Sequence, residues 1–307
     1  MKFAMMGSGG VGGYFGGRLA ASGHHVTFIA RGAHLAAIKA NGLKIESGLG
    51  DATIQPAEAT DNPGQPVGVD YVVIGVKLGD TEAAARAVLP MVGPETTVIS
   101  LQNGVVAEDI LIEILGSDNV IGGMAQIASS IFHPGVISHL GTMQRVVMGE
   151  LGGAVSPRVE VLRDALAGAG VVADISDDIR RTIWEKFVFL VGLSGTTTLM
   201  RTTIGPVRED SDGRQLLLGL MAETVLVARA KNVAVPEDYA EDRLGFADGL
   251  PFDMTSSMRH DLDRGNGLEV AWLSGAVVRF GRELGIPTPL NHTVYAALKP
   301  FSGSTGN

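Results

Sequence analysis

A glycine triplet set between a strand and a helix constrains this chain more than any other feature. Lys2–Met6 reads as an apolar strand. Directly after it, Gly7-Ser8-Gly9-Gly10-Val11-Gly12 opens a helix over Val11–Ser22, and His25–Ala30 reads as the next strand. In such a βαβ unit the first glycine permits the tight turn and the second lets main chain approach a diphosphate. The third lets the helix pack closely on the strand, with the helix N-terminus facing the phosphates. A turn that binds nothing is the alternative, and the position between strand and helix favours a dinucleotide. Gly13, Gly16 and Gly17 continue the same helix and read as close-packing residues.

The remaining pattern places that unit in a larger architecture. Short β-rich runs at Asp70–Val76 and Thr96–Leu101 alternate with helical patterns at Ala33–Ala40, Thr81–Leu89 and Val105–Leu115. Strands of this kind, apolar on both faces and separated by crossover helices, indicate a parallel sheet. Met124–Ile131, Val136–His139 and Arg145–Met148 extend or edge it, and a helix at Pro157–Ala167 and a strand at Val171–Ala173 close it. Beyond about Asp174 the strand signal fades into helical patterns at Asp178–Leu193, Arg214–Lys231, Asp238–Phe246, around Met258, and at Val270–Leu284, stopped by Gly285 and Pro287. The expected fold is an α/β Rossmann-type N-terminal domain followed by an all-α C-terminal domain, with residues 1–174 binding nucleotide and residues 175–307 forming the helical substrate and catalytic domain.

Composition narrows the partners. The 42 glycines in 307 residues are nearly twice the roughly 7% of an average protein, so many besides the loop need an address. A net charge of −9 with no basic stretch disfavours nucleic acid. The absence of cysteine removes disulfides, thiolate metal sites and cysteine nucleophiles, and fits a cytoplasmic setting. The longest apolar run, Phe187–Gly192, falls far short of the ~20 residues that cross a bilayer, so no membrane partner is expected. The histidines show no metal-ligand spacing.

The ends of the strands carry the polar chemistry. Where an NAD-selective fold places a carboxylate at the end of the second strand, this chain has Arg31, suited to pairing with a 2′-phosphate and so favouring NADPH/NADP+. A solvated loop charge is the alternative. Lys77 ends the Val73–Val76 strand, and Gln102-Asn103-Gly104 follows the next one. Singly these read as turn residues, Asn-Gly being a common turn dipeptide. Together, at consecutive carboxyl ends of a parallel sheet, Lys77 and Asn103 point toward a bound cofactor.

At these residues the chain resembles the ketopantoate reductase family (2-dehydropantoate 2-reductases, the ApbA/PanE family) over nearly its whole length. Ile179-Arg180-Arg181-Thr182-Ile183-Trp184-Glu185-Lys186 is similar to the family's I-R-x-x-L-W-x-K helix. Ser256-Ser257-Met258 with Asp261 is similar to S-S-M-x-x-D, Glu269–Gly275 to E-I-D-Y-I-N-G, and Gly285–Asn291 to G-I-x-x-P-x-N. The resemblance implies NADPH-dependent reduction of a small keto acid, 2-dehydropantoate to pantoate in pantothenate biosynthesis. It implies that Gly7, Ser8, Gly9, Gly10, Val11, Gly12, Arg31, Lys77, Asn103, Ala128 and Glu269 contact cofactor, and that Asn103, Lys186 and Ser257 hold substrate. Lys186 is the implied general acid and Glu269 the second catalytic residue.

Two departures bear on the substrate. The family carries asparagines four and eight residues past the lysine, where this chain has Leu190 and Ser194, and Ala271 and Ser274 replace its Asp and Asn in the E-I-D-Y-I-N-G segment. A reductase of another 2-keto or 3-keto acid is therefore an open alternative, as is a non-catalytic NADP(H) sensor. A homodimer is left open.

Overall fold

The computed structural model describes residues 1–303. The chain forms two compact units that divide between Thr182 and Ile183, whereas the sequence reading placed the domain boundary between 174 and 175. In the first unit the elements are β1 (Lys2–Met6), α1 (Gly10–Ala21), β2 (His25–Ile29), α2 (Gly32–Asn41), β3 (Leu43–Ser47), β4 (Ala52–Ile54) and β5 (Glu58–Thr60). They continue with β6 (Tyr71–Ile74), α3 (Thr81–Val88), β7 (Thr97–Ser100), α4 (Ala107–Leu115), β8 (Val120–His133), β9 (Val136–Gly149), α5 (Pro157–Gly168) and β10 (Val172–Ile175).

Six of these strands pair in parallel in the order β5-β2-β1-β6-β7-β8. Because β5 is the third of the parallel set, this is the 3-2-1-4-5-6 order of a doubly wound nucleotide fold, with its switch point between β1 and β6. The strands alternate their side chains between two cores. Phe3, Met5, Phe28 and Val73 join α1 and α5 on one face, and Ala4, Met6, Ile29, Val72 and Ile74 join α3 and α4 on the other.

The rest of the sheet is mixed. After Val120 and Ile121, β8 leaves β7 and pairs antiparallel with β9. The far edge of β9 takes β3 in parallel along Val136–His139 and β10 along Arg145–Met148, and β4 runs antiparallel to β3. The parallel sheet of the sequence reading is thus joined to a second, partly antiparallel half.

In the second unit α6 (Ile179–Leu199), within which the division falls, is followed by α7 (Ile204–Glu209), α8 (Ser211–Ala230), α9 (Tyr239–Asp248), α10 (Ser257–Asp263), α11 (Ser274–Leu284) and α12 (Pro289–Leu298). Asp178 starts α6 by accepting the Arg181 amide at 3.0 Å, and Asp210 starts α8 through the Gly213 amide at 2.7 Å. A Cβ on Gly192 would come within 2.6 Å of Met221, so this glycine exists to let α6 lie close on α8. The single helix expected over Val270–Leu284 is broken. Glu269–Ala271 forms a short 3-10 turn, and Leu273, at φ −100° and ψ −103°, separates it from α11. No helix among the described residues is long and apolar enough to cross a membrane.

Candidate functional site

The four central strands end level. Met6 pairs with Ile29 on one side and Ile74 on the other, and Ile74 pairs with Ser100. The residues just beyond this row are the Gly7–Gly12 loop, Arg31, Lys77 and Asn103, so the structure sets side by side the strand-end residues expected from sequence. They line the carboxyl edge of the sheet around its switch point, where ligands bind in such folds.

Within the loop each glycine answers to a different neighbour. Gly7 has φ +96°, and a Cβ there would lie 2.7 Å from the Val76 amide nitrogen. A Cβ on Gly12 would fall 2.2 Å from the Gly7 carbonyl, and one on Gly10 would fall 2.3 Å from the Ser129 carbonyl. Gly9 differs, since a Cβ there would meet nothing within 4 Å. The loop is therefore closed on its protein sides and open at Gly9, at the N-terminus of α1, where unpaired first-turn amides favour an anion. A diphosphate fits this cradle. The Ser8 side chain faces inward, its Oγ within hydrogen-bonding distance of the Met5 and Ile29 carbonyls, and its amide donates to the Ile29 carbonyl at 3.0 Å, so Ser8 serves to shape the loop.

The neighbouring strand ends are held by groups that the sequence did not single out. Arg31 is exposed at the start of α2. Gln102 Nε2 donates to the Val76 carbonyl at 2.9 Å and to Thr81 Oγ at 2.9 Å, which locks the Lys77 turn to the end of β7. Lys77 itself is exposed, and Asn103 is half-buried ahead of Gly104, whose φ is +121°. Ala128 is exposed beside an irregularity in the β8–β9 ladder, where Ile127 pairs with Gln144 but Ser129 pairs with His139. The residue that abuts the loop is Ser129, and its buried Oγ has no hydrogen-bond partner among the described residues.

Lys186 sits in α6 beside Trp184 and Phe187, which bury into the second unit's core with their rings 5.5 Å apart. The lysine keeps some exposed surface, yet protein atoms crowd its ammonium. That desolvation pulls its pKa from the usual lysine range down to about 8. Leu190 and Ser194 follow at four-residue spacing on the same helix face. The two serines near Met258 divide their duties. Ser256 is buried, caps α10 through the Arg259 amide at 3.1 Å and contacts Thr197 Oγ at 3.2 Å, whereas Ser257 is exposed. Glu269 opens the 3-10 turn before α11.

A nucleotide-type sheet and a helical unit bearing a desolvated lysine in one chain describe an oxidoreductase that works with a bound dinucleotide. Comparison with known proteins agrees. The family model for ketopantoate reductase PanE/ApbA matches residues 3–153, and that for its C-terminal part matches residues 178–302. An uncharacterized oxidoreductase of Bacillus subtilis, YkpB, is 31% identical over 98% of this chain and 99% of its own. A 2-dehydropantoate 2-reductase of Mesorhizobium japonicum is 30% identical over 100% of this chain and 99% of its own. The crystal structure of a PanE/ApbA family ketopantoate reductase from Ralstonia eutropha superposes with a TM-score of 0.90 at 33% identity, covering 98% of both chains. The chain belongs to the ketopantoate reductase family.

Proposed function

We propose that the protein reduces 2-dehydropantoate to pantoate with NADPH, using Lys186 as general acid. The observation that carries this reading is the desolvated Lys186, a proton donor with a pKa of about 8, in the helix that matches the family's lysine motif. The cofactor would be held by the main chain of Gly7 to Gly12 at its diphosphate and by Arg31 at its 2′-phosphate, with Lys77, Asn103, Ala128 and Glu269 as further contacts. When bound, NADPH supplies the hydride. Asn103 hydrogen-bonds the carbonyl end of the substrate and Ser257 its carboxylate, while Glu269 orients the substrate hydroxyl and steadies Lys186. As negative charge develops on the keto oxygen, Lys186 Nζ gives it a proton, and the positive charge of the ammonium favours that oxygen before transfer is complete.

The test is NADPH oxidation with 2-dehydropantoate in the wild type and in Lys186→Ala. A fall of about 10²–10⁴ in the variant is expected for loss of a general acid, and unchanged turnover would remove Lys186 from the mechanism. Binding of NADPH without turnover of any keto acid would instead mark a sensor.

A second reading rests on Leu190, an apolar residue one helical turn beyond Lys186, and on Ser194, whose buried hydroxyl lacks a partner among the described residues. A pocket that offers an apolar wall where a polar substrate group would lie discriminates strongly between keto acids. If a panel of 2-keto and 3-keto acids yields a larger kcat/KM for a substrate without hydroxyls, that substrate replaces 2-dehydropantoate.

A further inference from the structure

His34 lies in the first turn of α2, three residues past Arg31, and is half-buried. Its ring makes two hydrogen bonds to distant parts of the first unit. Nε2 is 2.9 Å from the Ser8 carbonyl oxygen, and the Gly135 amide donates to Nδ1 at 3.0 Å. A carbonyl can only accept and a backbone amide can only donate. Both bonds therefore form together only in the neutral ring that carries its proton on Nε2. Burial, the larger influence on this ring, lowers its pKa and keeps that neutral form at neutral pH.

The bond to Ser8 has a consequence for the loop. Ser8 is already pinned from the opposite side, its amide donating to the Ile29 carbonyl at 3.0 Å and its Oγ to the Ile29 and Met5 carbonyls. The peptide joining Ser8 to Gly9 is planar and trans, so its C=O and N–H point in opposite directions. Drawing the Ser8 carbonyl to His34 turns the Gly9 amide away from His34. Gly9 is the loop position where a Cβ would meet nothing within 4 Å, which is the open side of the cradle.

We infer that His34 is a positioning residue for the cofactor: as a neutral clasp between the phosphate loop and the β8–β9 turn, it aims the Gly9 amide at the diphosphate. The inference rests on the reading of the loop as an NADPH site. It assigns a purpose to the turn as well, because Gly135, at φ +82°, presents its amide to Nδ1 from the connection between β8 and β9.

Two variants and one spectroscopic measurement test it. His34→Gln keeps a donor and an acceptor on one planar group, and His34→Phe keeps ring bulk while removing both. In nitrogen-15 NMR of the full chain at neutral pH, the His34 ring, identified by its loss in His34→Gln, is expected as the neutral Nε2–H tautomer. In fluorescence titrations with NADPH and NADH, His34→Gln is expected to bind NADPH within about twofold of wild type. His34→Phe is expected to bind it about tenfold more weakly, as the loss of one or two hydrogen bonds implies, with kcat at saturating NADPH unchanged. A charged ring or the Nδ1–H tautomer would overturn the inference. So would wild-type affinity in His34→Phe, or equal losses in both variants. If His34→Phe does not fold, the tautomer and the His34→Gln affinity decide the matter. Wild-type protein that binds neither dinucleotide would sink the NADPH reading and this inference with it, whereas NADPH binding that is indifferent to His34 sinks the inference alone.

Discussion

At Lys186 the useful property is a proton held loosely near neutral pH. An ordinary lysine, with a pKa of 10.5, would donate reluctantly, and desolvation brings this one to about 8. The proposed reduction, with Lys186 as general acid, needs the charged form, which is present below that pH and lost above it. The rate of keto-acid reduction is therefore expected to stay level below about pH 8 and to fall roughly tenfold per unit above it, with the reverse oxidation rising through the same pH; a pH–rate profile in both directions checks this. Arg31 makes a separate expectation: in Arg31→Asp, kinetics with NADPH and NADH side by side should show preference moving toward NADH, whereas equal loss with both would mean a damaged fold. The residues at the carboxyl ends of β1, β2, β6 and β7 were legible in the sequence because strand, turn and helix signals are local. The role proposed for Lys186 comes only from the family helix pattern, since an isolated lysine reads as a solvated one. His34, Gln102 and Ser129 were not legible, because their roles depend on Ser8, Gly135, Val76 and Gly10, none of them near in sequence.

Among the elements, the phosphate loop and α4 offer contrasting tests. Gly9 faces open space and Gly12 faces the Gly7 carbonyl at 2.2 Å from a would-be Cβ. Gly9→Ala is thus expected to leave the melting temperature nearly unchanged while weakening NADPH binding at least tenfold, and Gly12→Ala to lower the melting temperature itself; calorimetry and titration on the two variants separate the effects. In α4 the buried Glu108 carboxyl is pushed up from 4.5 to about 7, chiefly by desolvation. The folded state then holds a proton that the unfolded chain releases, so the group's contribution is full below about pH 4.5 and is lost as the pH rises to about 7. Glu108→Gln is expected to raise the melting temperature by several degrees at pH 8 and by much less at pH 5. The elements the sequence reading passed over include α12 (Pro289–Leu298) and the shortest ones. β4 and β5 are three residues each with partly exposed faces, and α7 has six residues, too few for a period to emerge. β3 escaped because its order comes from pairing with β9, a strand some ninety residues later.

For the whole molecule, the two units correspond to two matched family segments, residues 3–153 and residues 178–302, and the chemistry is divided in the same way. The first holds the groups suited to a dinucleotide and the second holds Lys186, the proposed proton donor. A dinucleotide that binds only the folded chain must stabilise it, by about 2.7 kcal/mol at a hundred times its Kd. A rise in melting temperature with NADPH, larger than with NADH at equal concentration, is the expected thermal-shift result. The glycine excess also finds its addresses at this scale, in the loop, in α1 against the sheet, where a Cβ on Gly16 would come within 2.6 Å of Met5, and in α6 against α8. The most direct measurement of the central claim is NADPH oxidation by purified protein with 2-dehydropantoate, in wild type and Lys186→Ala at saturating cofactor. The expected result is turnover that collapses by about 10²–10⁴ in the variant while NADPH still binds; turnover that survives the substitution would contradict it.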